Sequence, residues 1–296
     1  MVISRVTQNM MMNRSYAALQ LGLGRLAKTQ EQLSTGRIIN RPSDSPTDAT
    51  SAMRIRASLA DQKQYSRNVQ DGIGWLGQID STLTSAMDQI RRARELGQQG
   101  ANEGNASPQA REALAVEVDQ IRDSLISAAN ASYLGRPVFG GVVNGEKAYD
   151  TSGQFVGVSG DVVRTVARGV KVSVNVDGPA VFGPDGNNLF DKLTQLSDSL
   201  RAGDTAAIGA GLSDLDTAMT RVTSALGDVG ARYNRLDRAS QAASDLELSL
   251  TSSLSEVEYV DLARATMDLN MQQVAYQAGL SATARLVQPS LSDFLR

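Results

Sequence analysis

From Ile208 to Val257 one apolar register runs almost without interruption, and it constrains the fold more than any other feature of the sequence. Ile208, Leu212, Leu215, Met219, Val222, Leu226, Val229, Tyr233 and Leu236 are followed, on the same alternation of four- and three-residue spacings, by Ser240, Ala243, Glu247, Leu250, Leu254 and Val257. Side chains spaced in this way share one face of an α-helix. At 1.5 Å per residue the rod is about 75 Å long. A rod of that length cannot fold back inside a globule, so the chain must be built on extended helices that bury a seam. The composition agrees: 41% of residues are hydrophobic but only 4% are aromatic, with one Trp. Such a profile suits helix seams of Leu, Ala, Val and Met better than a thick core.

The same alternation recurs upstream. Met12, Tyr16, Leu19, Leu23, Leu26, Gln30 and Leu33 predict a first helix that stops at Ser34-Thr35-Gly36. Arg41-Pro42-Ser43-Asp44-Ser45-Pro46 then forbids continuation, because each Pro lacks an N–H and restricts the residue before it. A second helix is expected from about Asp48 to Leu96, with Ile55, Leu59, Val69, Ile73, Leu76, Leu83, Met87 and Ile90 on one register. Residues 97–104 end it with three glycines and an Asn, and Ser107 caps a third helix that has Pro108 in its first turn and Leu114, Val118, Ile121 and Leu125 on its apolar face. The short loop makes these two helices antiparallel neighbours.

From Gly135 to Gly186 the period changes to two. Val170 to Asp177 alternates apolar and polar residues without a fault, and 150–153, 159–161 and 177–179 supply turns. A small antiparallel β insertion is therefore expected inside a helical protein. Helix resumes near Asn188 and pauses at Gly203-Asp204 before the long register. The last helix, about Glu258 to Val287, carries two apolar stripes: Val260, Ala263, Met267, Met271, Val274 and Ala278 on one, and Leu262, Leu269, Tyr276, Leu280 and Val287 on the other. One stripe can pair within the molecule, with the seam of residues 12–33 as its partner. The other then needs a neighbour, because a helix apolar around much of its circumference associates.

Composition removes most chemistry. With no Cys and no His there are no disulfides, thiolate nucleophiles or imidazole bases, and almost no means of ligating zinc or a transition metal. The charges, 29 basic against 32 acidic, form no block of one sign, which argues against a nucleic-acid partner. No run approaches the ~18 apolar residues of a membrane span, and Met1 to Tyr16 lacks the continuous apolar stretch of a secretory signal, so the expectation is a soluble chain with no membrane partner that leaves the cell, if at all, by another route. Gly72-Ile73-Gly74-Trp75-Leu76-Gly77 has dinucleotide-fingerprint spacing, but it lies inside a helical register where that fingerprint needs a preceding strand. Small residues permitting close packing or a bend explain it better. Asp185-Gly186-Asn187-Asn188 and 44–48 gather oxygen ligands without calcium-loop spacing and read as a turn and a helix cap. The Asn-x-Ser triplets at 13, 105 and 130 read as chance matches. No catalytic residue, metal ligand or cofactor is expected.

Several stretches carry a resemblance. Residues 32–46, QLSTGRIINRPSDSP, resemble the N-terminal signature of the flagellin superfamily, in the Arg-Pro-Ser-Asp version of its hook–filament junction branch. Residues 133–141, YLGRPVFGG, resemble that branch's approach to its β domain, 230–236, GARYNRL, its long C-terminal helix, and 289–295, PSLSDFL, its ending. The resemblance touches nearly the whole chain. It implies a mainly α protein with a small β insertion: a long antiparallel helical bundle in which N- and C-terminal helices pair as a coiled coil over 1–40 and 258–296, a helical rod over 41–134 and 187–257, and an outer β domain over 135–186. It also implies a structural, non-enzymatic adaptor of the bacterial flagellum, secreted unfolded through the flagellar export channel with a chaperone on its C-terminal helices. Its implied partners are identical copies in a ring, the first hook-associated protein and flagellin, and the alternative within the family is a filament flagellin. The assembly residues expected are Leu19, Leu23, Leu26 and Leu33, the signature Arg41, Pro42, Ser43 and Asp44, and Leu262, Leu269, Tyr276, Leu280, Val287 and Phe294.

Overall fold

The computed structural model describes residues 8–102, 107–142, 145 and 147–287, the side chains at 8, 9 and 285–287 excepted. Two compact units divide it, 1–60 with 248–296, and 61–247. The elements in chain order are α1 (Gln8–Thr35), α2 (Pro46–Asn102), α3 (Pro108–Ala129), β1 (Ser132–Tyr133), β2 (Arg136–Pro137), β3 (Val163–Ala167), β4 (Val170–Ser173), α4 (Gly178–Phe182), α5 (Leu189–Ala202), α6 (Thr205–Glu258) and α7 (Leu262–Val287). Among the described residues the fold is mainly helical with two small antiparallel sheets, as the periodicities predict.

The second unit holds the hydrophobic core. Its register positions Val69, Leu76, Leu83, Met87 and Ile90 on α2, Leu114, Val118 and Leu125 on α3, and Ile208, Leu215, Val222, Val229 and Leu236 on α6 are buried. Local signals set the helix ends. Ser107 accepts from the Ala110 amide at 3.3 Å with Pro108 at the first helical position. Asn188 and Asp191 form a reciprocal capping box on α5, and Gly203 closes that helix at φ 72°, a left-handed conformation that costs glycine nothing. Gly100 approaches Leu114 while Arg92 reaches Glu117 at 2.7 Å, so α2 and α3 run antiparallel.

The helix continues without a break through the glycines in the middle of α2, and packing explains Gly72 and Gly74 but not Gly77. A Cβ on Gly72 would lie 2.9 Å from Leu236 Cδ1 and 3.0 Å from Val174 Cγ1, and one on Gly74 would lie within 3 Å of the Tyr133 ring, whereas Gly77 has nothing within 4 Å. Trp75, 2% exposed, meets Tyr133 edge-on at 5.7 Å. Gly72 lies in the interior of α2, and among the described residues no strand leads into it, so the fingerprint's strand–turn–helix setting is not formed there.

The β segment is smaller than its alternation predicts. β1 and β2 join through Leu134 and Gly135, both at positive φ, and β3 pairs with β4 across a bulge between Thr165 and Ala167. The strand β4 ends at Ser173 and one further backbone bond follows it, the Val174 amide donating to the Val162 carbonyl at 2.8 Å; the Asn175 side chain then takes over, its Oδ1 accepting from the Val162 amide and its Nδ2 donating to the Gly160 carbonyl, both at 2.7 Å. The stretch 177–179 starts the short α4 instead of a simple turn. Four of the chain's five phenylalanines, Phe139, Phe155, Phe182 and Phe190, gather around Tyr149 or on one another with centroid distances of 5.2 to 5.7 Å. These four phenylalanines and Tyr149 thus form one aromatic cluster.

Candidate assembly interface

In the first unit α1 packs on α7, and the residues in contact differ from the largest apolar ones. Gly22 lies against Tyr276, Gly279 lies against Leu19, and the Thr29 hydroxyl is 3.1 Å from Gln272 Oε1, so the helices are antiparallel. The inward row on α1 is Ser15, Leu19, Gly22, Leu26, Thr29 and Leu33, and on α7 it is Ala265, Leu269, Gln272, Tyr276, Gly279 and Thr283, each half-buried or buried. Both rows keep the four-three alternation. Compared with the register read from the sequence, Leu19, Leu26 and Leu33 keep their places, while Met12, Tyr16, Leu23 and Gln30 give way to Ser15, Gly22 and Thr29. Small residues on alternate rungs let the backbones approach, and the bulkier neighbours are displaced to the flank.

Consequently this unit leaves large apolar side chains at its surface. Tyr16 is 64% exposed, Leu21 65% and Leu23 51%, and on α7 Met267, Met271 and Val274 are each 65–66% exposed, with Leu262 and Leu280 also exposed. Leu269 and Tyr276 are the members of the second stripe that pair within the chain, and the stripe of Met267, Met271 and Val274 is the one left without a partner among the described residues. A groove of about 360 Å³ runs beside the seam, floored by Ala18, Gly22, Ala275, Gly279 and Ala282. The Val287 side chain and Phe294 lie outside the described residues.

The signature segment is a closed turn organised by one carboxylate. Asp44 Oδ2 accepts from the amides of Arg41 at 2.9 Å and Asn40 at 3.2 Å, the Asp44 amide donates to the Arg41 carbonyl at 2.9 Å, and Lys28 Nζ stands 3.2 Å from Asp44 Oδ1. The Arg41 amide, followed by Lys28, holds the Asp44 carboxyl below the usual carboxylate range. Arg41 reaches back to Glu31 on α1 at 3.5 Å, and Arg41, Pro42 and Ser43 are exposed while Asp44 is half-buried. Asp44 therefore shapes the turn and the three residues before it present its outer surface.

Sequence reading missed the residue that ties the two chain directions together. Glu258, 3% exposed, pairs with Arg37 at 3.1 Å and with Arg56 through the same Oε1. Beside it the Ile38 amide donates to the Glu258 carbonyl at 2.8 Å and the Val260 amide to the Gly36 carbonyl at 3.0 Å, forming a bridge between Arg37 and Tyr259. The expected continuous helix from 258 is interrupted here; Asp261 restarts it by accepting from the Ala263 and Arg264 amides at 3.0 and 3.1 Å. Its only sequence signal was an acid at the end of a long apolar register. Among the described residues no group of three or more acidic side chains is placed to hold a metal ion, and no helix is long and apolar enough to cross a membrane.

Comparison with known proteins bears on this geometry. Residues 6–144 match the bacterial flagellin N-terminal helical region and residues 212–295 the bacterial flagellin C-terminal helical region. The chain is 26% identical to flagellar hook-associated protein 3 of Escherichia coli over 94% of its own length and 95% of that protein. It is also 26% identical to flagellin FlaB2 of Treponema pallidum, over 90% of each. The crystal structure of Bacillus cereus FlgL superposes with a TM-score of 0.61 at 25% identity, covering 68% of this chain and 99% of that one.

Proposed function

The chain belongs to the bacterial flagellin family, and we propose that within it this protein is a hook–filament junction subunit: identical copies form a ring on the first hook-associated protein and present a flagellin-like surface on which filament grows. Its family is one of flagellar structural proteins, not enzymes. The observation that carries the reading is the α1–α7 pair, whose seam alternates small side chains with Leu19, Leu26, Leu33, Leu269 and Tyr276 while Met267, Met271, Val274, Tyr16 and Leu23 are left outside. A neighbouring copy is the occupant we assign to the α7 stripe. At ~25 cal/mol per Å² of apolar area, a few such side chains contribute several kcal/mol per neighbour before the cost of ordering the helices is subtracted. Leu262 and Leu280 join that surface, Leu19, Leu26, Leu33, Leu269 and Tyr276 hold the pair in shape, and Arg41, Pro42 and Ser43 offer polar contacts on a turn set by Asp44. Before assembly the same stripe would suit an export chaperone.

A filament flagellin is the second reading, favoured by the equal identity to the Treponema pallidum flagellin. The Arg41-Pro42-Ser43-Asp44 sequence and the single small β segment support the junction. Seeded assembly separates them. Purified chain is added to hook particles bearing the first hook-associated protein, then flagellin is added, and growth is followed by electron microscopy. A short cap that flagellin extends supports the junction reading; self-elongation replaces it with the filament reading; failure to associate refutes both.

A further inference from the structure

Among the described residues the exposed methionines are confined to one unit. Met10, Met11, Met12, Met53, Met267 and Met271 are 44–66% exposed and belong to the first unit, whereas in the second unit Met87 is buried and Met219 packs against the core. Cysteine is absent, so these thioethers are the sulfur an oxidant can reach. Met267 and Met271 stand one helical turn apart on α7 and, with Val274, form the apolar stripe assigned above to a neighbouring copy.

We propose that Met267 and Met271 form an oxidation-sensitive site that blocks assembly when modified. The inference rests on the junction reading for its consequence, though not for its chemistry. A two-electron oxidant such as hydrogen peroxide transfers one oxygen atom to each thioether: the peroxide O–O bond breaks, an S–O bond forms, sulfur loses two electrons, and water leaves. The product is a sulfoxide, which turns a flexible apolar side chain into a polar one with a strong acceptor oxygen. Buried against another apolar surface, that oxygen loses its water and gains no donor. Once the stripe is buried in an assembly, oxidant no longer reaches the sulfurs, so the site responds only in the unassembled chain.

The full-length chain is treated with hydrogen peroxide, quenched, mapped by peptide mass spectrometry and added to hook particles bearing the first hook-associated protein. Met267 and Met271 should oxidise at least tenfold faster than Met87 and Met219, and oxidised wild type should associate at least tenfold more weakly than untreated. The Met267→Leu/Met271→Leu variant keeps an apolar stripe and the other exposed methionines, and its association, measured against the untreated variant itself, should be unchanged by the same treatment. Unchanged association of oxidised wild type overturns the proposal, as does equal loss in the variant, which would assign the effect to other methionines. Failure of the untreated chain to associate refutes the junction reading and the assembly effect with it, while the peptide map still decides whether the two sulfurs are the reactive ones.

Discussion

Replacing Gly72 and Gly77 by alanine, one at a time, should raise stability at Gly77 but not at Gly72, although both lie in the middle of α2. Alanine gains about 1 kcal/mol over glycine in a helix interior at either position. At Gly77, exposed and with no neighbour within 4 Å of a new Cβ, that gain should be realised almost in full. At Gly72 the new methyl would meet Leu236 Cδ1 at 2.9 Å and Val174 Cγ1 at 3.0 Å, and both side chains are fully buried. Overpacking of this kind costs about 1–3 kcal/mol. The helix term is common to the two variants, so their difference of about 1–3 kcal/mol isolates the steric term. Trp75 is the only tryptophan, is 2% exposed and lies between the two sites, so urea unfolding followed by its fluorescence reports the unit concerned. The midpoint should rise for Gly77→Ala and fall or hold for Gly72→Ala with the slope unchanged. Equal stabilisation of both variants would refute the packing account of Gly72.

Caps should rank by burial: Asn188→Ala, which loses the bond from the Asp191 amide and the buried bond to the Gly153 carbonyl, should cost about 2–3 kcal/mol in the same assay, against about 1 kcal/mol for Ser107→Ala. Glu258→Gln should cost about 1–2 kcal/mol, less than a fully buried pair because Arg37 and Arg56 are about half exposed and can turn to water; amide exchange at Ile38 and Val260 should quicken, and unchanged exchange would remove Glu258 from the role given it. For Asp44 the folded carboxyl titrates below its unfolded value, so its contribution is fully present above about pH 3.9 and is lost as pH falls through the lower folded value. The Arg41 amide shift should report that midpoint by NMR, and a midpoint at or above about 3.9 would contradict the observed bonds.

Helices were legible because their signals are local. The four-three spacing of α6, the Ser107–Pro108 start of α3 and the Gly203 stop of α5 each depend on residues a few positions apart, and the structure places all three as read. What escaped involves partners distant in sequence. Asn130, noticed only as part of a glycosylation-like triplet, makes bonds to both backbone sides of residues 148 and 149: its Oδ1 accepts from the Ala148 and Tyr149 amides, and its Nδ2 donates to the Tyr149 carbonyl. Asn175 ends a strand that alternation would have prolonged, because a side-chain amide can satisfy the same backbone groups as a paired strand. On α1, the apolar pattern identified Leu19, Leu26 and Leu33 but could not choose between the rung before and the rung after each. That choice depends on how closely α7 approaches, and Gly22 and Gly279 decide it in favour of small residues.

The same choice accounts for the contrast between the units. The core cluster lies wholly within residues 61–247, and among the described residues of the first unit the buried apolar side chains are Ala49, Ala52 and Ala265. Alanine buries little area, while each ordered residue costs about 1–2 kcal/mol of backbone entropy. A seam of Gly, Ala, Ser and Thr rungs between leucines therefore holds α1 and α7 together with little to spare. Filling that seam with the displaced Tyr16 and Leu23 would stabilise the isolated chain, but would also consume the apolar surface that a neighbour has to cover. A stable monomer and the template-dependent assembly proposed above would make opposite demands on the same side chains, and the placement of Gly22 beneath Tyr276 and of Met267, Met271 and Val274 in solvent is the arrangement the second would require.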